Sequence, residues 1–503
     1  MRIKELEIGD FKNLRGVSVE FDSDQLITVL LGRNGTGKSN LLEALVVLFR
    51  DLDLGERPAF AYRILYQCRE HQIEIQANPS KRRHTQITID DKSMSFTNFT
   101  RVPGKPYLPT HIFGYYSGFT DRFERLFERH QTRFYRDLID PAASGDLPLR
   151  PLFYVRPVHS QFVLLAFFLD DTEAVRGFLR DYLRIIGFES ATFVLKRPDW
   201  AKRGTQDQFW GARGTVREFL ENLQAVALAP IRNQDRQFLF VQNISSLSRL
   251  FQNYRSLSDF FKALESTYLS ELIEEVRINV RVNTAQESLT FTELSEGEQQ
   301  LLTVLGLLRF TREAESLFLL DEPDTHLNPA WSLAYLGLLK ELAGGLETSQ
   351  VLLATHDPVT ISGLERSQVR VLSDRGGQIV ADPPDEDPKG MGIAGLLTSP
   401  LFGLRSTLDL ETMALLDEKR LLAVKPTLTA EEQTRLDKLN LQLGSVDFTS
   451  VVRDPLYRRF VEAMSRALST QPPTPPTLTP EQMEKREEIA AEVVEQLLKE
   501  TTQ

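Results

Sequence analysis

The chain has 503 residues, a formal net charge of −11, 41% hydrophobic and 26% charged residues. This length exceeds what one core supports and the composition is that of an ordinary globular protein, so two or more packed units are expected and a fibrous or largely disordered chain is excluded. The negative balance gives no global attraction to nucleic acid, the single cysteine (Cys68) has no partner for an internal disulfide, and apolar runs such as 162–169 fall far short of the roughly 20 residues of a membrane span. With a polar, acidic stretch at 1–6 where a secretory leader would be apolar, a cytoplasmic location without a membrane role is expected.

Residues 2–8 and 17–21 alternate apolar with polar and 26–31 is continuously apolar, which predicts three strands. The third runs into Gly32-Arg33-Asn34-Gly35-Thr36-Gly37-Lys38-Ser39, and Asn40-Leu41-Leu42-Glu43-Ala44-Leu45 opens a helix. Strand, glycine loop and helix in this order form a phosphate-binding loop: small residues let backbone N–H groups close around phosphate oxygens, and the helix N-terminus adds a favourable dipole. Asn34, Gly35, Thr36, Gly37, Lys38, Ser39 and Asn40 are the candidate nucleotide contacts. Lys38 is expected at the β- and γ-phosphates and Ser39 on Mg²⁺. Lys81-Arg82-Arg83-His84 lies between two strand-like runs and reads as a hairpin tip.

Lys38 and Ser295 are 257 positions apart, far more than a minimal nucleotide-binding core needs. Pro148, Pro151, Pro157, Pro198 and Pro230 interrupt the intervening stretch and no heptad persists, so a compact, mainly helical insertion over 120–285 is expected rather than a coiled coil. Within it, Lys196, Arg197, Trp200, Lys202, Arg203, Phe209, Trp210, Arg213 and Arg217 interleave cations with aromatics. That mixture suits nucleic acid, but without a fold motif the favoured reading is a solvated loop with its aromatics tucked inward.

The run 317–320 ends in Asp321-Glu322-Pro323, as a buried strand delivering carboxylates at its C-terminal edge does. Asp321 is the expected Mg²⁺ ligand and Glu322 the expected general base for the attacking water. Leu294-Ser295-Glu296-Gly297-Glu298-Gln299 precedes this strand, with a helix expected over 303–311, and another strand, 351–355, ends at His356. At these residues the sequence resembles the ABC ATPase superfamily, in its soluble RecF/SMC-like branch. The stretch 294–299 is similar to the ABC signature, 324–329 to the D-loop and His356 to the switch histidine. Phe11-Lys12-Asn13-Leu14-Arg15 and Asn40 are similar to features of the RecF-like branch.

The resemblance implies an α/β fold: an ABC ATPase head, with a mixed sheet and P-loop α/β core, carrying the insertion and a helical C-terminal region. It also implies a head-to-tail dimer, or a higher oligomer, in which Ser295 and Gly297 of one subunit meet the γ-phosphate held by Lys38 of the other. Glu322, His356 and Lys38 would be catalytic, Ser39 and Asp321 would hold the metal, and ATP and Mg²⁺ would be the ligands. The strand-like run 112–118 leads to the expected Q-loop but carries no glutamine at its end.

The expected organisation is an N-lobe at 1–119, the insertion at 120–285, a C-lobe at 286–390, a helical region at 391–468, a proline-rich linker at 469–480 and an amphipathic helix at 481–503. Asp382, Asp385 and Asp387 stand among prolines, a poor setting for a metal-binding strand edge. Ile489, Val493, Val494, Leu497 and Leu498 form one apolar helix face, suited equally to its own subunit or a partner. Residues 389–409 and 453–457 resemble the ATPase subunit of Septu-type or retron-associated anti-phage systems. That resemblance implies an HNH nuclease partner and, in retron-linked versions, retron nucleic acid. The competing reading is a RecF/SMC-like ATPase of DNA repair that binds DNA itself.

Overall fold

The strand Ile27–Gly32 is buried at every residue, as an apolar run must be when both faces of a parallel sheet are covered. It lies inside a seven-stranded sheet, ordered Gln378–Asp382, Val369–Arg375, Ile27–Gly32, Gln350–Ala354, Leu317–Asp321, Ile112–Tyr116 and Leu152–Tyr154. Only the first pair is antiparallel; the other neighbours run parallel. Asp321 pairs with Ala354 on one side and Tyr116 on the other, and Ala354 pairs with Leu30. The loops that follow Gly32, Ala354, Asp321 and Tyr116 therefore leave from one sheet edge, where α/β sheets place ligands.

This computed structural model describes residues 1–139, 149–202, 207–233, 235–283, 289–310, 314–342, 348–443 and 479–501, with single positions between 460 and 467. Contacts divide the chain into Met1–Asp387 and Pro388–Gln503.

A second, antiparallel sheet takes the order Leu14–Glu20, Arg2–Phe11, Tyr62–Cys68, His71–Ala77, Thr85–Ile89 and Lys92–Met94. The helix Lys38–Leu54 contributes Leu41, Leu42, Leu45, Val46, Leu48 and Phe49 to a single core with apolar residues of both sheets. That helix ends in a left-handed Gly55 cap, whose N–H reaches back to Asp51 and Leu52 carbonyls.

Helices dominate the 120–285 stretch, with Glu128–Ile139, His159–Phe167, Glu173–Asp181, Gly214–Val226, Ile244–Phe251 and Leu257–Leu269. They accompany an antiparallel sheet that the sequence reading did not anticipate, ordered Ile231–Asn233, Arg236–Val241, Ile185–Lys196, Ile273–Val282 and Leu289–Thr290. The signal was present in Ile273–Val282, where Val276, Ile278, Val280 and Val282 are buried at every second position. Helices Leu257–Leu269 and His159–Phe167 share a buried ionic group with Arg150. Arg150 Nη1 donates to Glu265 Oε1 at 2.8 Å, and His159 Nε2 lies 2.7 Å from the other oxygen.

In the C-terminal unit, Leu410–Ala423 and Ala430–Leu443 pack through Leu416, Leu439 and Leu443. Both helices are capped by side chains. Asp409 accepts from the Thr412 N–H at 2.9 Å, and Thr429 and Glu432 form reciprocal bonds of 2.9 and 3.3 Å. The helix Pro480–Thr501 buries Val493 and Leu497 and leaves Val494 exposed. Residues 453–457, the prolines of 472–476 and Arg203 lie outside the described residues.

Candidate nucleotide site

The phosphate loop is shaped by glycines and by the turn before it. Gly37 has φ +95°, and a Cβ there would meet Leu14 Cδ2 at 2.6 Å and Asn13 Oδ1 at 3.0 Å, so only glycine fits this left-handed, crowded position. Asn13 Nδ2 donates to the Gly35 carbonyl at 2.8 Å, and Asn40 Nδ2 donates to Asn13 Oδ1 at 2.6 Å. Asn13 thus ties the hairpin turn between the first two strands to the middle of the loop and to the first turn of the helix that follows it. Lys12, at φ +56° in that turn, pairs with Glu43 on the buried face of the loop's helix. Thr36 is held by its hydroxyl to the Arg33 carbonyl at 2.8 Å, while Asn34 and Gly35 are exposed.

Lys38 is buried and donates to the Gly32 carbonyl at 2.7 Å and the Arg33 carbonyl at 3.4 Å. Burial lowers its ammonium pKa, against the opposing charges of Glu322 and Asp321. Asp321 is 1% exposed, and neither carboxylate oxygen has a hydrogen-bond partner among the described residues. Burial pushes its carboxyl up to about 6; Ser39, Arg122 and Lys38 oppose the rise and Glu322 adds to it. A buried carboxylate that is only partly compensated, beside a serine hydroxyl at a phosphate loop, fits a hard divalent cation with oxygen ligands, and Ser39 and Asp321 are the residues that would hold it.

Glu322 has φ +52°, a strained conformation for a residue with a side chain. Its backbone is held there: its N–H donates to the Ala354 carbonyl at 2.8 Å, and its carbonyl accepts from Thr325 Oγ1 at 2.9 Å and Gln300 Nε2 at 3.4 Å. Glu322 Oε1 then lies 3.1 Å from His356 Nδ1. Thr355, one residue earlier, donates to the buried Asp324 at 2.6 Å and anchors the turn after Asp321 to the strand that leads to His356. The geometry suits a carboxylate that takes a proton from water and a histidine that orients it.

The helix that follows Ser295 starts at Glu296 and runs to Phe310, seven residues earlier than the expected start at Thr303. The reason is a reciprocal cap: the Ser295 N–H and hydroxyl both donate to Glu298 Oε2, at 2.7 and 2.8 Å, and Ser295 Oγ accepts from the Glu298 N–H at 3.3 Å. Ser295 is exposed. Gly297 is buried, and a Cβ there would meet the His326 carbonyl oxygen at 2.5 Å. Its lack of a side chain is needed for this close approach to His326, a packing role beyond the expected phosphate contact.

Several of the interleaved cations and aromatics of 196–217 are engaged within the fold, and others are exposed. Trp200 Nε1 donates to the Ser270 carbonyl at 2.9 Å, Phe209 is buried, and Arg217 pairs with Asp207 at 3.0 Å and Glu221 at 2.7 Å. Arg213 stands at the start of Gly214–Val226, Lys196 and Lys202 are exposed, and Arg197 donates to the Lys202 carbonyl at 3.0 Å. Asp382 pairs with Arg375, and Asp387 accepts from the Arg366 N–H at 2.7 Å.

Residues 78–362 match the family described as "AAA domain, putative AbiEii toxin, Type IV TA system". The chain belongs to this family. Residues 1–102 match a further family, "AAA ATPase domain". The chain is 28% identical over 243 residues to the Septu protein PtuA of Bacillus mycoides (strain KBAB4), covering 46% of this chain and 33% of that protein. It is 26% identical over 260 residues to Protein ea59 of Escherichia phage lambda, covering 48% of this chain and 47% of that protein. The chain therefore spans between a third and half of the length of these relatives. Among solved structures it is similar to an SmcHead bound to the C-winged helix domain of ScpA, with TM-score 0.35, 14% identity, 76% of this chain and 97% of that chain covered. It is also similar to the SMC head domain from Thermotoga maritima, with TM-score 0.33, 14% identity and coverages of 76% and 100%. The protein is an AAA-type ATPase that resembles Septu PtuA, with a mixed α/β architecture and helical regions. Hydrolysis of ATP is the activity its family implies.

Proposed function

We propose that the chain binds Mg²⁺–ATP and hydrolyses it at a composite site formed by two copies head to tail, and that this cycle regulates a partner HNH nuclease in anti-phage defence in the cytoplasm. The observation that carries the ATP reading is the convergence of Lys38, Asp321, Glu322 and His356 on one sheet edge, with Asp321 buried and without a hydrogen-bond partner among the described residues. The bound cation would screen phosphate charge; Lys38 would hold the terminal phosphates, Glu322 would take the proton of the attacking water, and His356 would orient Glu322. Ser295 supports the composite reading: it is exposed at a capped helix N-terminus, a place that accepts a phosphate from outside its own subunit. Similarity to Septu PtuA supports the defence role, and the separate helical unit Pro388–Gln503 is the proposed dock for the nuclease.

Complementation tests the shared site. Lys38→Ala and Ser295→Arg are each expected to be inactive, whereas their mixture contains dimers with one intact site and recovers ATP turnover. No recovery overturns the head-to-tail arrangement. Pull-down of a co-expressed HNH nuclease, with and without residues 388–503, tests the dock; capture that survives removal of the unit overturns it.

A further inference from the structure

The strand Ile112–Tyr116 leads to a segment whose polar anchor is an arginine. Arg122 Nε lies 3.7 Å from Glu43 Oε1, and its Nη2 lies 3.7 Å from Asp321 Oδ2. Its guanidinium carbon sits 5.0 Å from the centre of the Tyr116 ring. Glu43 Oε1 and both Asp321 oxygens are buried without hydrogen-bond partners among the described residues, so the guanidinium is the charge that spans them. At 3.7 Å these are ion pairs without hydrogen-bond geometry, and the arginine side chain is 42% exposed. An anchor of this kind can be exchanged without breaking a packed core.

The same short segment holds the inserted region. Glu124 accepts from Arg156 Nε at 2.7 Å, and Arg156 Nη2 reaches Gln131 Oε1 at 2.9 Å. The Arg156 N–H donates to His159 Nδ1 at 2.8 Å, and His159 joins Glu265 in the buried ionic group. A continuous series of polar contacts and two residues of backbone therefore connect Asp321 to the centre of the insertion.

We propose that Arg122 is a positioning residue that neutralises Asp321 in the absence of a divalent cation and is displaced by that cation when nucleotide binds, passing site occupancy to the insertion through Glu124 and Arg156. This rests on the ATP reading of the same site. The physical cause is like-charge repulsion: a divalent cation on Asp321 puts two positive groups on one carboxylate, and the half-exposed guanidinium is the one free to move to water.

The test uses the full chain holding a fluorescent ATP analogue, titrated with Mg²⁺, together with hydrogen exchange of the backbone. Arg122→Gln removes the competitor, so half-saturation is expected at about three- to tenfold less Mg²⁺, and Arg122→Lys is expected to restore most of the wild-type midpoint. In the wild type, residues 117–131 and 152–167 are expected to change exchange rate when Mg²⁺ is added. Glu124→Gln keeps the Mg²⁺ midpoint but loses the change at 152–167. An unchanged midpoint in Arg122→Gln overturns the exchange, as does weaker analogue binding in Mg²⁺-free buffer, which would make Arg122 a phosphate contact. An undiminished response at 152–167 in Glu124→Gln overturns the relay. Failure of the wild type to bind the analogue at all, with or without Mg²⁺, overturns the ATP reading together with the proposal, whereas binding with an unchanged midpoint overturns the proposal alone.

Discussion

Asp321 and Glu265 are each 1% exposed, and their surroundings treat the buried charge in opposite ways. Burial pushes Asp321 up to about 6, because Ser39, Arg122 and Lys38 compensate it only in part. Burial would raise Glu265 too, but the charges and hydrogen bonds of His159 and Arg150 outweigh it and hold the carboxyl down at about 2. Both oxygens of Glu265 are met, one by Arg150 and one by His159. The difference separates two uses of a buried acid. A fully paired carboxylate joins elements of the fold, whereas an incompletely paired one at a sheet edge keeps ligand capacity in reserve.

That contrast breaks if both acids respond alike to substitution. The largest expected effect is on rate: Glu322→Gln should slow phosphate release by about 10²- to 10⁴-fold while ATP binding and the unfolding midpoint stay near wild type. Normal turnover in this variant removes Glu322 from the base role. Next comes Glu265→Ala, which strands Arg150 and His159 in the core and should cost about 3–5 kcal/mol in denaturant unfolding. A loss below about 1 kcal/mol would place this group with surface ion pairs.

Asp321→Asn should act in the other direction, stabilising the metal-free protein by about 1–3 kcal/mol while abolishing any Mg²⁺-dependent gain in the unfolding midpoint. A destabilised Asn variant would mean that Ser39, Arg122 and Lys38 together outweigh the cost of burying the carboxylate.

The pH dependence sharpens the same comparison, since the two acids have opposite signs. Glu265 titrates below its ordinary value of 4.5, so its stabilisation is fully present above that pH and is lost as pH falls toward about 2. Asp321 titrates above its ordinary value of 3.8, so its penalty is absent below that pH and builds as pH rises toward about 6. The wild type should therefore lose its advantage over Glu265→Gln on acidification, and its deficit relative to Asp321→Asn should shrink over the higher window. The smallest effect is expected from Glu418→Ala, which breaks the exposed pair with Arg435 and should leave the unfolding midpoint unchanged, isolating burial as the deciding variable.

Legibility in the sequence followed the range of each interaction. The strand-loop-helix at Ile27–Gly32 and Lys38–Leu54 was readable because apolar run, glycines and helix opening are adjacent. The caps at Thr429 and Asp409 are equally local. Ser295 and Glu298 have the same spacing as a capping box, but the glycine between them lowers helix propensity locally, so the helix expected at Thr303 starts earlier in the structure. The insertion's sheet was missed because its longest members, Ile185–Lys196 and Ile273–Val282, pair across intervening helices whose apolar periodicity dominates the stretch.

Asn13 shows the other limit. It stands beside Phe11 and Lys12 in a recognisable pattern, yet its partners Gly35 and Asn40 are 22 and 27 positions away and meet it only once the hairpin folds over the loop. Glu43 carried a faint signal, a lone acid in an apolar helix, but nothing local joins it to Lys12 or Arg122. The amino-acid sequence by itself determined which backbone segments form a phosphate loop and which strand ends bear carboxylates, because glycine conformations, apolar runs and caps act over a few residues. Only the tertiary structure decided which of the buried charges are balanced, because compensation depends on groups brought within 4 Å by sheet order and helix packing, and no short-range rule encodes that proximity.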